Sequence, residues 1–408
     1  AFCTLARDHG RLGLKAALAP AIHYARAGVP VGPRTAFDWG LAAQNLSGAA
    51  RDHYLLDGGA PAPGQIFRHD LQAQVLERVA LEGRAGFYEG EVAEDMVASL
   101  RALGGSHTLN DFAATACTWD TPIAGSYKGV DLLEHPPNGQ GATAILLAGI
   151  LSHFDLPAMG PISLQRAHIE AEATKLAYDA RDRFIADMDY ITRLDHMLDP
   201  ATAAGLAALI DPNRVMLDPR NASGAVHKDT VYLTVVDKDL CAVSMIYSVF
   251  HSFGAGLASS KFGINFQNRG AGFTLEAGHP NEAGPGKRPM HTIIPAMLRD
   301  GGRVTMPFGV MGGAYQPAGH ARVVSNMVDF GMDPQTALDA PRAFAELGHL
   351  KVERGYPIEV RRDLQEMGHQ VVIPDVAIGG AQAIRINHDT GVLEGASDPR
   401  KDGAAIGY

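Results

Sequence analysis

The hydrophobic period of this chain changes once, at Thr230, and that change constrains the fold more than any other feature. Before it, apolar residues recur three and four apart over 14–28, 71–83, 92–103 and 164–187, the spacing of amphipathic helices. After it, alternating and β-branched runs over 231–237, 242–249, 304–309, 369–373 and 381–386 read as strands. The expectation is an α+β chain whose helices cover sheet. With 408 residues, 46% hydrophobic and 20% charged, it is long enough to bury a large core.

The switch point also carries chemistry. Asp229-Thr230-Val231-Tyr232-Leu233-Thr234-Val235-Val236-Asp237 sets a threonine at the mouth of a strand. A hydroxyl is a poor nucleophile at neutral pH unless a base sits beside it. A threonine made N-terminal by scission after Asp229 brings its own base, the α-amino group. The plain alternative is a β-former that merely opens a strand. Upstream, the stretch 217–225 is rich in turn formers and reads as an exposed linker approaching Thr230.

Further strings follow in order: Pro285-Gly286-Lys287-Arg288-Pro289 with Pro295, Gly309-Val310-Met311-Gly312-Gly313, and Gly395-Ala396-Ser397-Asp398-Pro399-Arg400 running on to Gly407-Tyr408. Ahead of Thr230 stand Pro136-Pro137-Asn138-Gly139-Gln140-Gly141 and Lys175-Leu176-Ala177-Tyr178-Asp179-Ala180-Arg181-Asp182-Arg183-Phe184. Taken alone, the first of these two is turn punctuation and the second a salt-bridged helix face. Together the strings resemble the γ-glutamyltranspeptidase family of N-terminal nucleophile hydrolases.

That resemblance implies a four-layer αββα sandwich, with a large-subunit-like portion 1–229 and a small-subunit-like portion 230–408 interleaved in one domain. It implies scission between Asp229 and Thr230, so that each chain's partner is the other piece of the same precursor, with a homodimer or heterotetramer as possible assemblies. In the family a further large-subunit segment precedes sequence similar to Ala1 onward, which makes this chain look truncated. The arginine that grips the substrate carboxylate belongs to that upstream segment and has no counterpart here.

By the same resemblance Thr230 is the nucleophile, and the backbone N–H groups of Gly312 and Gly313 form the oxyanion hole. A tight turn or a phosphate-binding loop is the alternative for the glycines. Thr234 and Ser248 match positions near the nucleophile, where either hydroxyl would steer its proton; each also reads as an ordinary strand residue. Asn268, Arg269, His291, Thr292, Tyr315 and Gln316 lie near the motifs as candidates to line an acyl pocket, with Arg269 chosen for an anionic acyl end.

Departures from the family bear on substrate. True transpeptidases carry an asparagine where Phe250 falls, an aspartate near Ala271 and two serines where His291 and Thr292 stand. A desolvated ammonium needs a carboxylate partner, and Ala271 and Gly272 offer none. The reading therefore leans to the amidohydrolase and acylase members, with oxamate-type or cephalosporin-type acyl groups, ahead of γ-glutamyl transfer from glutathione-like donors. A catalytically silent relative that only binds is the second class of reading. A serine-protease arrangement with His291 or His320 and Ser244 or Ser252 is disfavoured because no G-x-S-x-G elbow occurs.

The formal net charge of -10 and the lack of a Lys/Arg cluster argue against nucleic acid as a partner. Cys3, Cys117 and Cys241 lack metal-ligand spacing, and the 17 histidines show no H-E-x-x-H, so neither a metal nor another cofactor is expected. No apolar stretch reaches membrane length and no signal peptide opens the chain, so the expected compartment is cytoplasmic, with a periplasmic one as the alternative.

Overall fold

The computed structural model describes residues 1–216 and 228–408, with side chains from Thr230 onward in the second stretch. The linker expected at 217–225 and the side chain of Asp229 lie outside the described residues. The chain forms two compact units, one of Ala1–Asp120 with His251–Asn268, the other of Thr121–Phe250 with Arg269–Tyr408.

The smaller unit is helical. Helices α1 (Leu14–Ala27) and α2 (Asp70–Glu82) pack together, and His69 caps α2 by accepting from the Gln72 N–H at 3.2 Å. Helix α3 (Gly90–Ala102) places Val92 and Met96 against Phe262, Ile264 and Phe266. The Asp95 carboxylate accepts from the N–H groups of Lys261 and Phe262 at 2.9 and 3.0 Å, which pins the 251–268 excursion to this helix.

The larger unit is built on sheet. Strands β1 (Ile123–Tyr127), β2 (Val130–Glu134), β3 (Lys228–Val236), β4 (Ala242–His251), β5 (Ala296–Asp300), β6 (Arg303–Met311), β7 (Ala343–Glu346), β8 (His349–Val352), β9 (Val371–Val372), β10 (Gly380–Ile386) and β11 (Leu393–Ser397) follow in chain order. Six of them make one antiparallel sheet in the order β11-β10-β6-β5-β2-β1. This sheet takes strands from both sides of Thr230. Strands β3 and β4 pair separately, and β7, β8 and β9 form a small third sheet.

Alternation along β6 sets the layers, because successive side chains of a strand point to opposite faces. Phe308 meets the His320 ring at 4.9 Å, and Val310 packs where a side chain on Gly319 would lie; both partners sit on helix α6 (Gln316–Val328). Gly309, between them, faces the Tyr232 ring of β3. Helices therefore cover one face of the six-stranded sheet and the β3–β4 hairpin lies on the other. Helix α4 (Gly141–Leu151) is buried along almost its whole length beneath β1 and β2, flanked by helix α5 (Leu164–Phe184) and by α6. It is apolar on every side, so it shows no amphipathic stripe.

The architecture is α+β, as expected, with two differences. The portion before Thr230 supplies two strands of the main sheet, and the strand expected over 369–373 is only Val371–Val372. The closing string has a structural role: buried Asp398 accepts from Arg342 and Arg400, and Arg400 also reaches Glu353 at 2.6 Å. One-sided removal of a charge from such a buried set is costly, so Asp398 and Arg400 are anchored where the last strand ends.

Candidate active site

Thr230 lies on the sheet-facing side of β3, only 8% exposed. Its Oγ1 donates to Ser248 Oγ on β4 at 3.3 Å, and that oxygen also accepts from the Phe250 N–H at 2.9 Å. The hairpin thus brings Thr230 and Ser248 together. It commits Thr234 elsewhere, since the Thr234 hydroxyl donates to the Val243 carbonyl at 2.9 Å. Tyr232, between the two threonines, hydrogen-bonds Ser244 at 2.7 Å, and Ser244 reaches the Phe308 carbonyl at 3.2 Å. This ladder fastens the hairpin to the main sheet two residues from Thr230.

Strand β3 lies against the 3-10 turn Gly313–Tyr315, which follows β6. Gly312 and Gly313 take φ of 121° and 59°, backbone angles that favour glycine, and a Cβ on Gly312 would stand 2.8 Å from Gly379 Cα. The carbonyls of the turn are held one after another. That of Gly312 accepts from the Tyr315 N–H at 3.1 Å, that of Gly313 from Gln140 Nε2 at 2.9 Å, and that of Ala314 from the Tyr178 hydroxyl. In a trans peptide the N–H points opposite to the C=O, so each tied carbonyl fixes where the following N–H is aimed.

The acyl-pocket candidates divide. Arg269 stacks its guanidinium 5.0 Å from the Phe250 ring centroid, and its Nη1 donates to Thr292 Oγ1 at 3.4 Å. Burial lowers its pKa to about 10, so it remains a cation at neutral pH. His291 is held neutral, its pKa lowered to about 3 by burial first and then by the nearby charges of Arg269 and His135. Tyr315 and Gln316 turn into the framework: the Tyr315 ring packs on Phe344 at 5.3 Å, and Gln316 Oε1 accepts from the Ile294 N–H at 3.0 Å. Asn268 belongs to the smaller unit, where it accepts from the His251 N–H at 3.1 Å and meets the His251 ring at 2.6 Å.

His320 is enclosed. Its Nε2 accepts from the Val310 N–H at 3.2 Å, which leaves Nδ1 to donate to Glu134 at 2.6 Å. Burial raises the Glu134 pKa. Among the described residues, His168, Glu172 and His369 are the titratable group whose ligand atoms converge as a metal site requires. Their atoms already have partners: His168 bonds His369 at 2.9 Å and the Asp211 carbonyl at 2.8 Å, and Glu172 bonds Lys175 Nζ at 2.7 Å and the Met216 N–H at 2.8 Å.

The fold that carries Thr230, the glycine turn and Arg269 is shared with amide-bond hydrolases and acylases. The chain belongs to the γ-glutamyltranspeptidase family, whose model matches residues 1–408. It is 34% identical to the glutathione hydrolase-like YwrD proenzyme of Bacillus subtilis (strain 168), over 98% of this chain and 78% of that one. It is 35% identical to the oxamate amidohydrolase proenzyme of Klebsiella pneumoniae, over 96% and 75%. The solved structure of cephalosporin acylase from Bacillus halodurans superimposes with a TM-score of 0.90 at 34% identity, covering 100% of this chain and 77% of that one. Among the described residues no helix is long and apolar enough to cross a membrane.

Sequence reasoning missed Gln140, Tyr178 and Arg181. All three stand inside the two strings set aside as turn and helix landmarks, and the reach of Gln140 and Tyr178 to the glycine turn, with Arg181 holding Gln140, is visible only in three dimensions.

Proposed function

We propose that this chain is a self-processing amidohydrolase in which Thr230 is the nucleophile. The placement of Thr230 carries this reading: a shielded hydroxyl two positions after the start of β3, bonded to Ser248 and lying on a strand packed against the glycine turn. Scission after Asp229 frees the α-amine of Thr230. That amine takes the proton from Oγ1 as Oγ1 attacks the substrate carbonyl, then passes it to the departing amine. The N–H groups of Gly312 and Gly313 receive the oxyanion, a single such donor being worth about 3–4 kcal/mol of barrier. Water then cleaves the ester on Thr230. The four-layer αββα sandwich is part of the same reading, since the outward side chains of Val231, Leu233 and Val235, 36–48% exposed, form the face that a fourth layer would cover.

The proposed substrate is a small amide bearing a carboxylate. Arg269 and Thr292 offer a cation and a hydroxyl for that carboxylate, while Phe250, Ala271, His291 and Thr292 supply no acidic group to pair an ammonium. Oxamate, the substrate named for one relative, fits this description, and hydrolysis is favoured over transfer. The test is intact mass of the purified protein together with parallel assays of oxamate and γ-glutamyl-p-nitroanilide, each with and without a dipeptide acceptor. Two chains split before Thr230 and hydrolysis of the carboxylate amide are expected. One persistent full-length chain, or acceptor-stimulated release from the glutamyl substrate alone, overturns the reading.

A further inference from the structure

The Pro136–Gln140 loop clasps the pocket wall along its length. Asn138 Nδ2 donates to the Pro289 carbonyl at 2.6 Å, the His291 N–H donates to the Asn138 carbonyl at 3.0 Å, and Gly139 bridges His291 as a strand would. The loop then doubles back tightly, because a Cβ on Gly141 would overlap the His135 carbonyl. This brings Gln140, fully buried, to the N-cap of α4.

Gln140 uses every polar atom it has. Nε2 donates to the carbonyls of Thr292 at 2.7 Å and Gly313 at 2.9 Å, and Oε1 accepts from Arg181 Nη1 at 3.2 Å. Arg181 stacks on Tyr178, its guanidinium 4.4 Å from the ring centroid, and the Tyr178 hydroxyl holds the next carbonyl, that of Ala314. One carboxamide therefore joins the wall that carries Thr292 to the turn that carries Gly312 and Gly313. Gln316 adds a second tie, from the turn to Ile294.

We propose that Gln140 is a positioning residue for acyl transfer, with Tyr178 and Arg181 as its supports. Its amide ties the Gly313–Ala314 peptide, which directly follows the peptide that carries the Gly313 N–H, to the Thr292 carbonyl, so that the glycine turn and the wall bearing Thr292 keep a constant separation. A buried amide with all its bonds made has one orientation, and its loss strips the Thr292 carbonyl of its side-chain donor and leaves the Gly313 carbonyl with the Gln316 N–H alone. This inference rests on the Thr230 reading for its chemistry, although the brace itself does not depend on that reading.

The test uses the full chain carrying Gln140→Met, which keeps bulk and removes the bonds, and separately Tyr178→Phe, which removes one hydroxyl. Hydrogen exchange read by mass spectrometry is expected to speed up in peptides spanning 291–294 and 312–316, and to stay unchanged in the smaller unit. With oxamate, kcat is expected to fall on the order of 10-fold to 100-fold in Gln140→Met and less in Tyr178→Phe, while KM stays within about three-fold. Unaltered exchange in both segments, or unaltered kcat in a folded Gln140→Met protein, overturns the proposal; if that variant does not fold, Tyr178→Phe decides by the same two readouts. A wild-type protein that turns over no amide refutes the Thr230 reading alone, because the exchange experiment still decides whether the brace exists.

Discussion

The ring of Tyr232 fills the space above Gly309 that any side chain there would need. The contact seats β3, and with it Thr230, against the main sheet. Gly309→Ala is expected to push the ring away, at a cost of about 1–3 kcal/mol for overpacking a tight site. Thermal unfolding should report that loss, and chain scission before Thr230 should slow in the same variant. An unchanged melting temperature together with normal scission would show that the hairpin is seated by other contacts.

Thr230→Ala removes the nucleophile and is expected to abolish both scission and turnover, leaving the fold intact by circular dichroism. Thr230→Ser keeps a hydroxyl and should retain part of each. Full turnover in the alanine variant ends the assignment, and mass spectrometry with a product assay on the same sample separates the two effects.

Arg269 is expected to act on binding. Arg269→Met should raise KM for a carboxylate-bearing amide by about 10-fold to 100-fold, the order for a charge-assisted pair, with little effect on a neutral amide of similar size. Because burial lowers the pKa of this guanidinium to about 10, the wild-type KM for the anionic substrate should rise as the pH climbs toward that value. Equal losses on both substrates in Arg269→Met remove Arg269 from the pocket.

His369 predicts acid sensitivity. His168 Nε2 donates to the Asp211 carbonyl, so its Nδ1 accepts from His369 Nε2. The His369 pKa is lowered to about 3, by burial first, then by the charges of Lys175 and His168. The folded protein keeps this ring neutral while the unfolded chain takes up a proton below the ordinary imidazole value. Its contribution to stability is therefore complete above about pH 6.5 and falls as the pH drops toward 3, by up to about 1.4 kcal/mol per pH unit. His369→Gln should flatten the denaturant midpoint against pH between about pH 6 and 4. An identical slope in wild type and variant rules the ring out.

What could be read ahead of the structure was local. Thr230 at a strand mouth, the Gly312-Gly313 pair and the helices over 14–28 and 71–83 announce themselves within a few residues, because capping, periodicity and glycine angles are short-range. Helix α4 gave no such sign, since a helix buried on all sides has no polar face to set a period. Strands β1 and β2 went unread because each is only five residues long and joined by a tight turn. Gln140 was illegible for another reason: its two acceptors lie 152 and 173 residues away, and sequence spells out the turn before it but not the reach of its amide. Thr234 shows the converse, a residue in the right string whose hydroxyl is taken by the neighbouring strand.

The main sheet joins a block of four strands laid down late in the chain to two laid down early, with β2 bonded edge to edge to β5. A backbone nick before Thr230 would leave the hydrogen-bond ladder between those two strands uncut. The severed pieces should consequently melt together in one transition, at a temperature that falls on dilution because unfolding releases two chains, and neither fragment made alone should fold.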